Sequence, residues 1–430
     1  MSGMRALSLF GGAVLAAGLT SAAGASTAGL SSGTALTFGG VSHPHAPAAG
    51  RNPASAPAGP AFGMGLLQLG LAAEIGPVDN LVDELDDLQD LLDQDDLGVE
   101  DAEEAVERFE AFLEQAGKDG YIKAGGFGHA PLTPLSVRSP WGGGGVSLDL
   151  RYTGQGRLGI LDAPLEISID GAEADLNTNT SLYIKGAVVR EIAVGYGRPV
   201  WSSSGGTLMA GVGVTHYQGD LSKTVIPLQD TDDIGDAISD EYDADQETST
   251  AVGADLGLLW VTPRYRVGAT GRNLNEPALD YGAIGQECGD LTGEERTRCE
   301  AAQSFADRID LEETWTMDPQ WTLEGALYTE DQTWVVAASV DVNEARDAVG
   351  DTFQWAVLSV STASPLRLMP AWRFGYRENL TGTELSYVTT GLTLFRTLEL
   401  DIAYALDGVE YEDEDYPRGV MFNVGFSLSF

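Results

Sequence analysis

The chain has 430 residues, with 24 Lys+Arg against 65 Asp+Glu, a formal net charge of −41 at pH 7. With four lysines in all (Lys118, Lys123, Lys185 and Lys223) it lacks a basic face to neutralise phosphates, which excludes nucleic acid as a partner. Surplus carboxylate with little lysine suits a salt-rich medium, where screening relieves self-repulsion.

Residues 1–25 read as a cleavable signal peptide. Met1 to Arg5 are basic, Ala6 to Thr20 are apolar and small, and Ala23-Gly24-Ala25 offers small residues at the cleavage site. The apolar stretch is too short for a permanent span. Residues 26–76 form an extended N-terminal segment, rich in Ala, Gly, Ser and Pro as far as Ala61, and a possible plug. At Pro77 the pattern changes. Val78, Leu81, Val82, Leu85, Leu88 and Leu92, then Ala102, Ala105, Val106, Phe109, Phe112, Leu113 and Ala116, recur at helical spacing. The other faces are acidic except for Arg108, so 77–117 reads as an acidic two-helix segment. Residues 118–145 read as a Gly/Pro-rich linker. Its Gly142–Gly145 run lacks the Lys of a phosphate loop.

From Val146 to Phe430 the period is two. Trp334, Val336, Ala338, Val340 and Val342 share one face, as do Leu398, Leu400, Ile402, Tyr404 and Leu406. The expected fold is all-β: a transmembrane antiparallel β-barrel of roughly 12–14 strands preceded by the extended segment and the acidic helical pair. The last strand puts Phe422, Phe426, Leu428 and Phe430 on one face and ends on an aromatic, the form that outer-membrane assembly machinery reads. Tyr183, Tyr196, Trp201, Tyr217, Trp260, Trp315, Trp321, Trp334, Trp355 and Trp372 are candidates for interfacial girdles. Outer-membrane lipid and lipopolysaccharide are then the surroundings. The long acidic stretches Asp230–Glu247 and Glu276–Glu313 suit extracellular loops.

Cys288 and Cys299 read as a local disulfide in an exported chain. His43 and His45 form a loop pair without further metal-ligand spacing. No Ser–His or Asp–His pattern marks a nucleophile, so no catalytic, cofactor or metal site is expected and the chain does not read as an enzyme.

Three motifs carry a family resemblance. Asn52-Pro53-Ala54 follows Arg51, where related chains carry an aromatic. Asp255-Leu256-Gly257-Leu258-Leu259-Trp260 is followed by Arg272-Asn273-Leu274-Asn275-Glu276-Pro277. Arg373-Phe374-Gly375-Tyr376-Arg377-Glu378-Asn379 forms the third. In this order they resemble the outer-membrane barrels called conjugal transfer protein TraF, within the wider FadL-like group. The resemblance covers most of the chain after residue 25. It implies passage or sequestration of small hydrophobic compounds. The alternative expectation is a non-transporting envelope component that docks periplasmic or conjugation partners through its acidic helices.

Overall fold

The computed structural model describes residues 34–39, 52–92, 94, 97–139, 143–170, 173–229, 246–362, 369–412 and 414–429. The expectations for the signal peptide, His43, His45, Arg51, Phe430 and most of the loop Asp230–Glu247 lie outside these residues.

One antiparallel sheet closes on itself. Its staves are β1 (Phe62–Ile75), β2 (Tyr121–His129), β3 (Gly145–Leu161), β4 (Ser181–Ser203) and β5 (Gly206–Pro227). They continue as β6 (Glu247–Val261), β7 (Tyr265–Arg272), β8 (Gln320–Tyr328), β9 (Trp334–Asp341) and β10 (Trp355–Thr362). The remainder are β11 (Ala371–Asn379), β12 (Ser386–Leu394), β13 (Leu398–Ala405) and β14 (Gly419–Ser429). Each pairs with the next, and β14 returns to β1 with Gly63 opposite Ser429 and Glu74 opposite Gly419. The barrel therefore has 14 staves, an even number that leaves no open edge.

The barrel begins earlier than the alternation indicates. Phe62–Ile75 is a stave, not part of the extended segment, and the expected linker 118–145 contains β2 and the short strand Leu135–Arg138. Two features hide them. A bulge between Gly65 and Leu67 breaks the parity of β1, and β2 presents mostly Gly and Ala. The helical pair is real, as α2 (Leu81–Leu92) and α3 (Val99–Asp119), but it is an insertion between the first two staves rather than a preceding domain. In chain order α1 (Ala35–Phe38) comes before both.

Outward faces are apolar and inward faces small or polar. On β14, Val420, Phe422 and Phe426 are exposed, whereas Met421, Asn423 and Ser427 are buried in the lumen. Val212 and Val214 on β5, Leu256 and Leu258 on β6, and Trp372 and Phe374 on β11 continue the apolar wall. In water such a wall would aggregate; in a bilayer it is the solvated surface.

The two ends differ. Both ends of the staved chain, at Phe62 and Ser429, share an end with brief turns such as 262–264 and 395–397. Trp201 and Trp260 stack there with centroids 5.5 Å apart, and Tyr265, Trp334 and Trp372 lie exposed at the same end. Trp321, Tyr376 and Tyr404 mark the opposite rim. Short turns face the periplasm in outer-membrane barrels, and long loops face outward. The acidic helices lie at the long-loop end. By that rule they stand on the outer side of the membrane, which does not favour a periplasmic partner for them. They project from the stave ends farthest from Phe62 and Ser429.

β3, β4 and β5 run 17, 23 and 22 residues, well beyond membrane depth. Above the apolar wall their outer face carries Leu158, Ile160, Leu182, Ile184 and Ile226, which α2 and α3 cover with Leu88, Phe109 and Leu113. Each buried large apolar side chain contributes ~1.5–3 kcal/mol, which explains why helices so acidic on one face still hold. α4 (Glu294–Ser304) and the strands Ala278–Asp280 and Thr314–Thr316 cover the inner face of the same extension.

Candidate functional site

At the periplasmic end a row of glycines crosses four staves. Gly145 pairs with Gly197, Gly197 with Gly211, and Gly211 with Gly257. All four face the lumen, and the turn Pro53–Ala58 lies against them. A Cβ at Gly211 would collide with Ala54 N and lie 2.7 Å from Pro53 O, and one at Gly257 would strike Asn52 Oδ1. Here glycine is needed for close approach of two backbones, not for turn geometry. Asn52 fixes the turn: its Oδ1 accepts from Ala54 N at 2.9 Å, and its Nδ2 donates to Glu324 Oε1 at 3.1 Å and Leu258 O at 3.3 Å. Pro53, at the first position of the turn, has no N–H to leave unsatisfied.

On the opposite wall α1 lies inside the barrel. Thr37 Oγ1 donates to Asp401 Oδ1 at 2.6 Å, and Arg373 Nη2 approaches Asp401 Oδ2 at 2.7 Å. Gly375 sits under Thr37 O, where a Cβ would come within 3.0 Å. Arg377 donates to Leu36 O at 3.5 Å and stacks on the Trp355 ring at 3.8 Å. Leu36 packs with Tyr387 and Ala403, and Phe38 with Ala326 and Val335. The described parts of the N-terminal segment thus occupy both lumen walls.

The external mouth is crossed by the connection between β9 and β10. Its tip, 347–351, is a tight turn in which Asp347 Oδ1 accepts from Val349 N at 3.1 Å and Asp351 N at 2.9 Å. Asp347 and Asp351 reach Lys123 on β2 at 2.6 and 2.7 Å, and Asp351 reaches Arg157 on β3 at 3.1 Å. In the closed ring these staves are diametrically opposite β9 and β10. Beside this contact lies a cavity of about 50 Å³ lined by Glu74, Lys123, Asp347, Asp351, Trp355 and Asn379. That holds a water or two, far below the ~300 Å³ of a ligand pocket.

The wall itself is interrupted at one place. β2 ends at His129, the chain bulges through Ala130–Pro134, and the strand Leu135–Arg138 resumes between β1 and β3. Leu132 is exposed at the bulge, near the outward Leu67 and Leu69. Behind it His129 Nδ1 lies 2.7 Å from Asp149 Oδ1, and Gln68 and Ser136 are buried facing the lumen.

Among known families, the model described as "F plasmid transfer operon, TraF, protein" matches residues 49–341. The chain belongs to the TraF family. No curated protein matches it. Among solved structures it is similar to a Pseudomonas aeruginosa FadL homologue (12% identity, 93% of this chain and 97% of that one, TM-score 0.44). It is also similar to the Ralstonia pickettii toluene transporter TbuX (12%, 92% and 97%, 0.39) and the P. putida toluene transporter TodX (14%, 88% and 92%, 0.35). What the chain itself shows is the fold, a closed antiparallel β-barrel whose outward wall is apolar.

The motifs that carry the TraF resemblance divide by task. Asn52, Pro53 and Ala54 form the seated turn. Arg373, Gly375 and Arg377 hold α1, and Asn379 accepts from Gln354 N at 2.8 Å at the end of the mouth crossing. Tyr376, between them in sequence, faces outward at the rim. Asp255 Oδ1 accepts from Asn273 N at 3.0 Å, Leu274 N donates to Ala254 O at 3.0 Å, and Pro277 O accepts from Met317 N at 2.9 Å. That group shapes the root of the long loop Asn273–Pro319. Cys288 and Cys299 are disulfide-bonded within this loop. Four expected girdle aromatics face elsewhere: Tyr183 packs under the long loop with Val225 and Phe305, Tyr217 is buried in the lumen, Trp315 in the loop, and Trp355 under Arg377. Sequence reasoning missed the glycine row. Gly211 and Gly257 stand on alternating strands, but their alignment needs the registers.

Proposed function

We propose that the chain is a gated outer-membrane passage for small compounds, with the N-terminal segment as the removable part of its lumen. The observation that carries this is the Asn52-Pro53-Ala54 turn. It is seated by shape and a few hydrogen bonds on a wall made smooth by glycine. A purely structural barrel has no need of a separately docked filling. Family resemblance and the interrupted stave within the apolar wall favour cargo with a hydrophobic portion. The polar lumen, with Arg151, Arg373, Glu399 and Asp401 buried on it, disfavours a wholly apolar central route. Export by a signal peptide, contact with lipopolysaccharide and insertion by the assembly machinery belong to the same reading.

The test is uptake into proteoliposomes of a small aromatic hydrocarbon against a sugar of similar size, for the intact chain and for Asn52→Ala. Faster hydrocarbon uptake than in empty liposomes, raised further by Asn52→Ala, is expected. Uptake equal to that of empty liposomes for both solutes and both proteins would remove the transport reading. A second reading follows from the outward position of the helices: the exposed Glu103, Glu104, Glu107 and Glu110 form a cell-surface contact face. Changing these four to Gln, which leaves the apolar underside of the helices seated, should then abolish adhesion of intact cells through this face while uptake is unchanged; unchanged adhesion would remove this reading.

A further inference from the structure

Lysine is scarce in this chain, and its placement is uneven. Lys123, Lys185 and Lys223 all lie on the lumen face near the external mouth, on β2, β4 and β5; Lys118 sits exposed at the end of α3. Each of the three meets groups from an external loop. Lys185 Nζ donates to Glu313 Oε1 at 2.6 Å, Lys223 Nζ to Asp310 O at 2.5 Å, and both lie over the Tyr281 ring. Lys123 takes both carboxylates of the turn 347–351.

The mouth crossing differs from the other two contacts in its reach. Glu313 and Asp310 come from a loop that also packs on β4 and β5 through apolar side chains, including Ile284 and Phe305 on Val225. The turn 347–351 crosses to the far wall and ends there on charges. Its stem has a neutral anchor, Trp315 Nε1 donating to Arg346 O at 3.1 Å, and within the tip itself Tyr281 OH donates to Ala348 O. Arg346 N donates to Asp318 Oδ2 at 2.9 Å. Gly350, at φ +98°, completes the turn where a side chain would be strained. Toward β2 and β3 the attachment is electrostatic, beside a small apolar seat in which Ala348 clusters with Ala187 and Val189 of β4, and the stem is held by backbone hydrogen bonds, the arrangement of a hinged strap with a latch.

We infer that the segment 342–354 is a movable strap over the external mouth, latched across the lumen by Lys123 and Arg157 through Asp347 and Asp351. Largely buried between strap and wall, these pairs are screened less than surface ones, and the hydration regained on opening offsets part of their attraction, so the latch holds the closed position without locking it. Freed, the carboxylates regain water outside, whereas Lys123 and Arg157 stay on a fixed wall. The inference rests on the passage reading for its role as a gate, but not for its existence as a latch.

The experiment places one thiol on the strap, Val349→Cys, at a position 1% exposed in a chain whose own cysteines are paired. Labelling by a membrane-impermeant maleimide is followed on cells, alone and combined with Asp347→Asn plus Asp351→Asn. The asparagines keep the Oδ1 acceptor that shapes the turn. Lys123→Gln reads the same latch from the other wall and leaves the strap unaltered. Labelling at least about tenfold faster in both backgrounds is expected. An unchanged rate in both, with heat-modifiable migration showing an intact barrel, overturns the inference whatever the flux. Proteoliposome uptake is measured in parallel in the Asn52→Ala background. Faster labelling with unchanged uptake would leave the moving strap standing and remove its role as a gate; uptake no greater than that of empty liposomes would remove the passage reading.

Discussion

Gly211→Ala tests the seat of the N-terminal turn with a single methyl group. The added Cβ would lie 2.7 Å from Pro53 O and closer still to Ala54 N, both backbone atoms that cannot rotate away. Relief requires the turn to move by about 1 Å, since ordinary carbon–oxygen contacts lie beyond ~3 Å. That displacement takes the Asn52 Nδ2 contacts to Glu324 and Leu258, now 3.1 and 3.3 Å, out of hydrogen-bond range. A neutral hydrogen bond contributes ~0.5–1.5 kcal/mol and one to a carboxylate ~1.5–3, so the docked turn loses about 2–4.5 kcal/mol. The undocked population then rises about 30- to 1,600-fold. Ala56→Cys, buried in the docked turn, reports this as a thiol-labelling rate in detergent. The control is Gly205→Ala, whose Cβ meets nothing nearer than 3.7 Å. If Ala56→Cys labels at the same rate with Gly211→Ala as with Gly205→Ala, the glycine row is not the seat of the turn.

Three further outcomes are expected. Glu107→Cys on α3 should react with an impermeant maleimide on intact cells, whereas Glu330→Cys in the turn after β8 should react only once the outer membrane is opened; the reverse pattern would invert the barrel. Arg373→Leu strands Asp401 in the lumen and should cost ~3–5 kcal/mol in urea unfolding from detergent, with Arg373→Leu plus Asp401→Leu recovering part of it. Burial, then the neighbouring carboxylates Asp83, Asp90 and Asp87, push the Asp86 carboxyl on α2 above its ordinary range. A carboxyl raised in the folded state adds stability as pH falls and loses it as pH rises through the folded value. The protection of α2 amides, taken relative to their intrinsic exchange rate at each pH, should therefore rise modestly between pH 7 and pH 5; a fall would contradict it.

The barrel was largely legible because lipid demands one greasy face, and Leu398–Leu406 or Trp334–Val342 state that demand in their alternation. It was illegible where Gly and Ala satisfy the same demand weakly, as in β2, and where the bulge after Gly65 reverses parity. The N-terminal turn was located through family resemblance, but its seat was not. Four glycines spread from 145 to 257 become one surface only after three strand registers align them. The mouth strap left no trace in the sequence beyond two aspartates in an acid-rich chain. Its meaning lies in Lys123 and Arg157, about two hundred residues away and on the far side of a closed ring. Aromatic residues misled for a related reason: Trp355 serves a buried guanidinium, and composition does not separate that from an interfacial anchor.

The helical cap enters and leaves the barrel at adjacent points, with Gly76 N donating to Tyr121 O at 2.8 Å. A chain that departs from and returns to one hydrogen-bonded pair can be lengthened or cut there without disturbing any register. The cap is thus a graft on a hairpin, free to vary in size and charge while the staves stay fixed. Its removal would nevertheless bare Leu158, Ile160, Leu182, Ile184 and Ile226 above the membrane, where no lipid covers them. Any descendant that lost the helices would have to shorten β3, β4 and β5 with them, so the length of these three staves is a record of what stands on them.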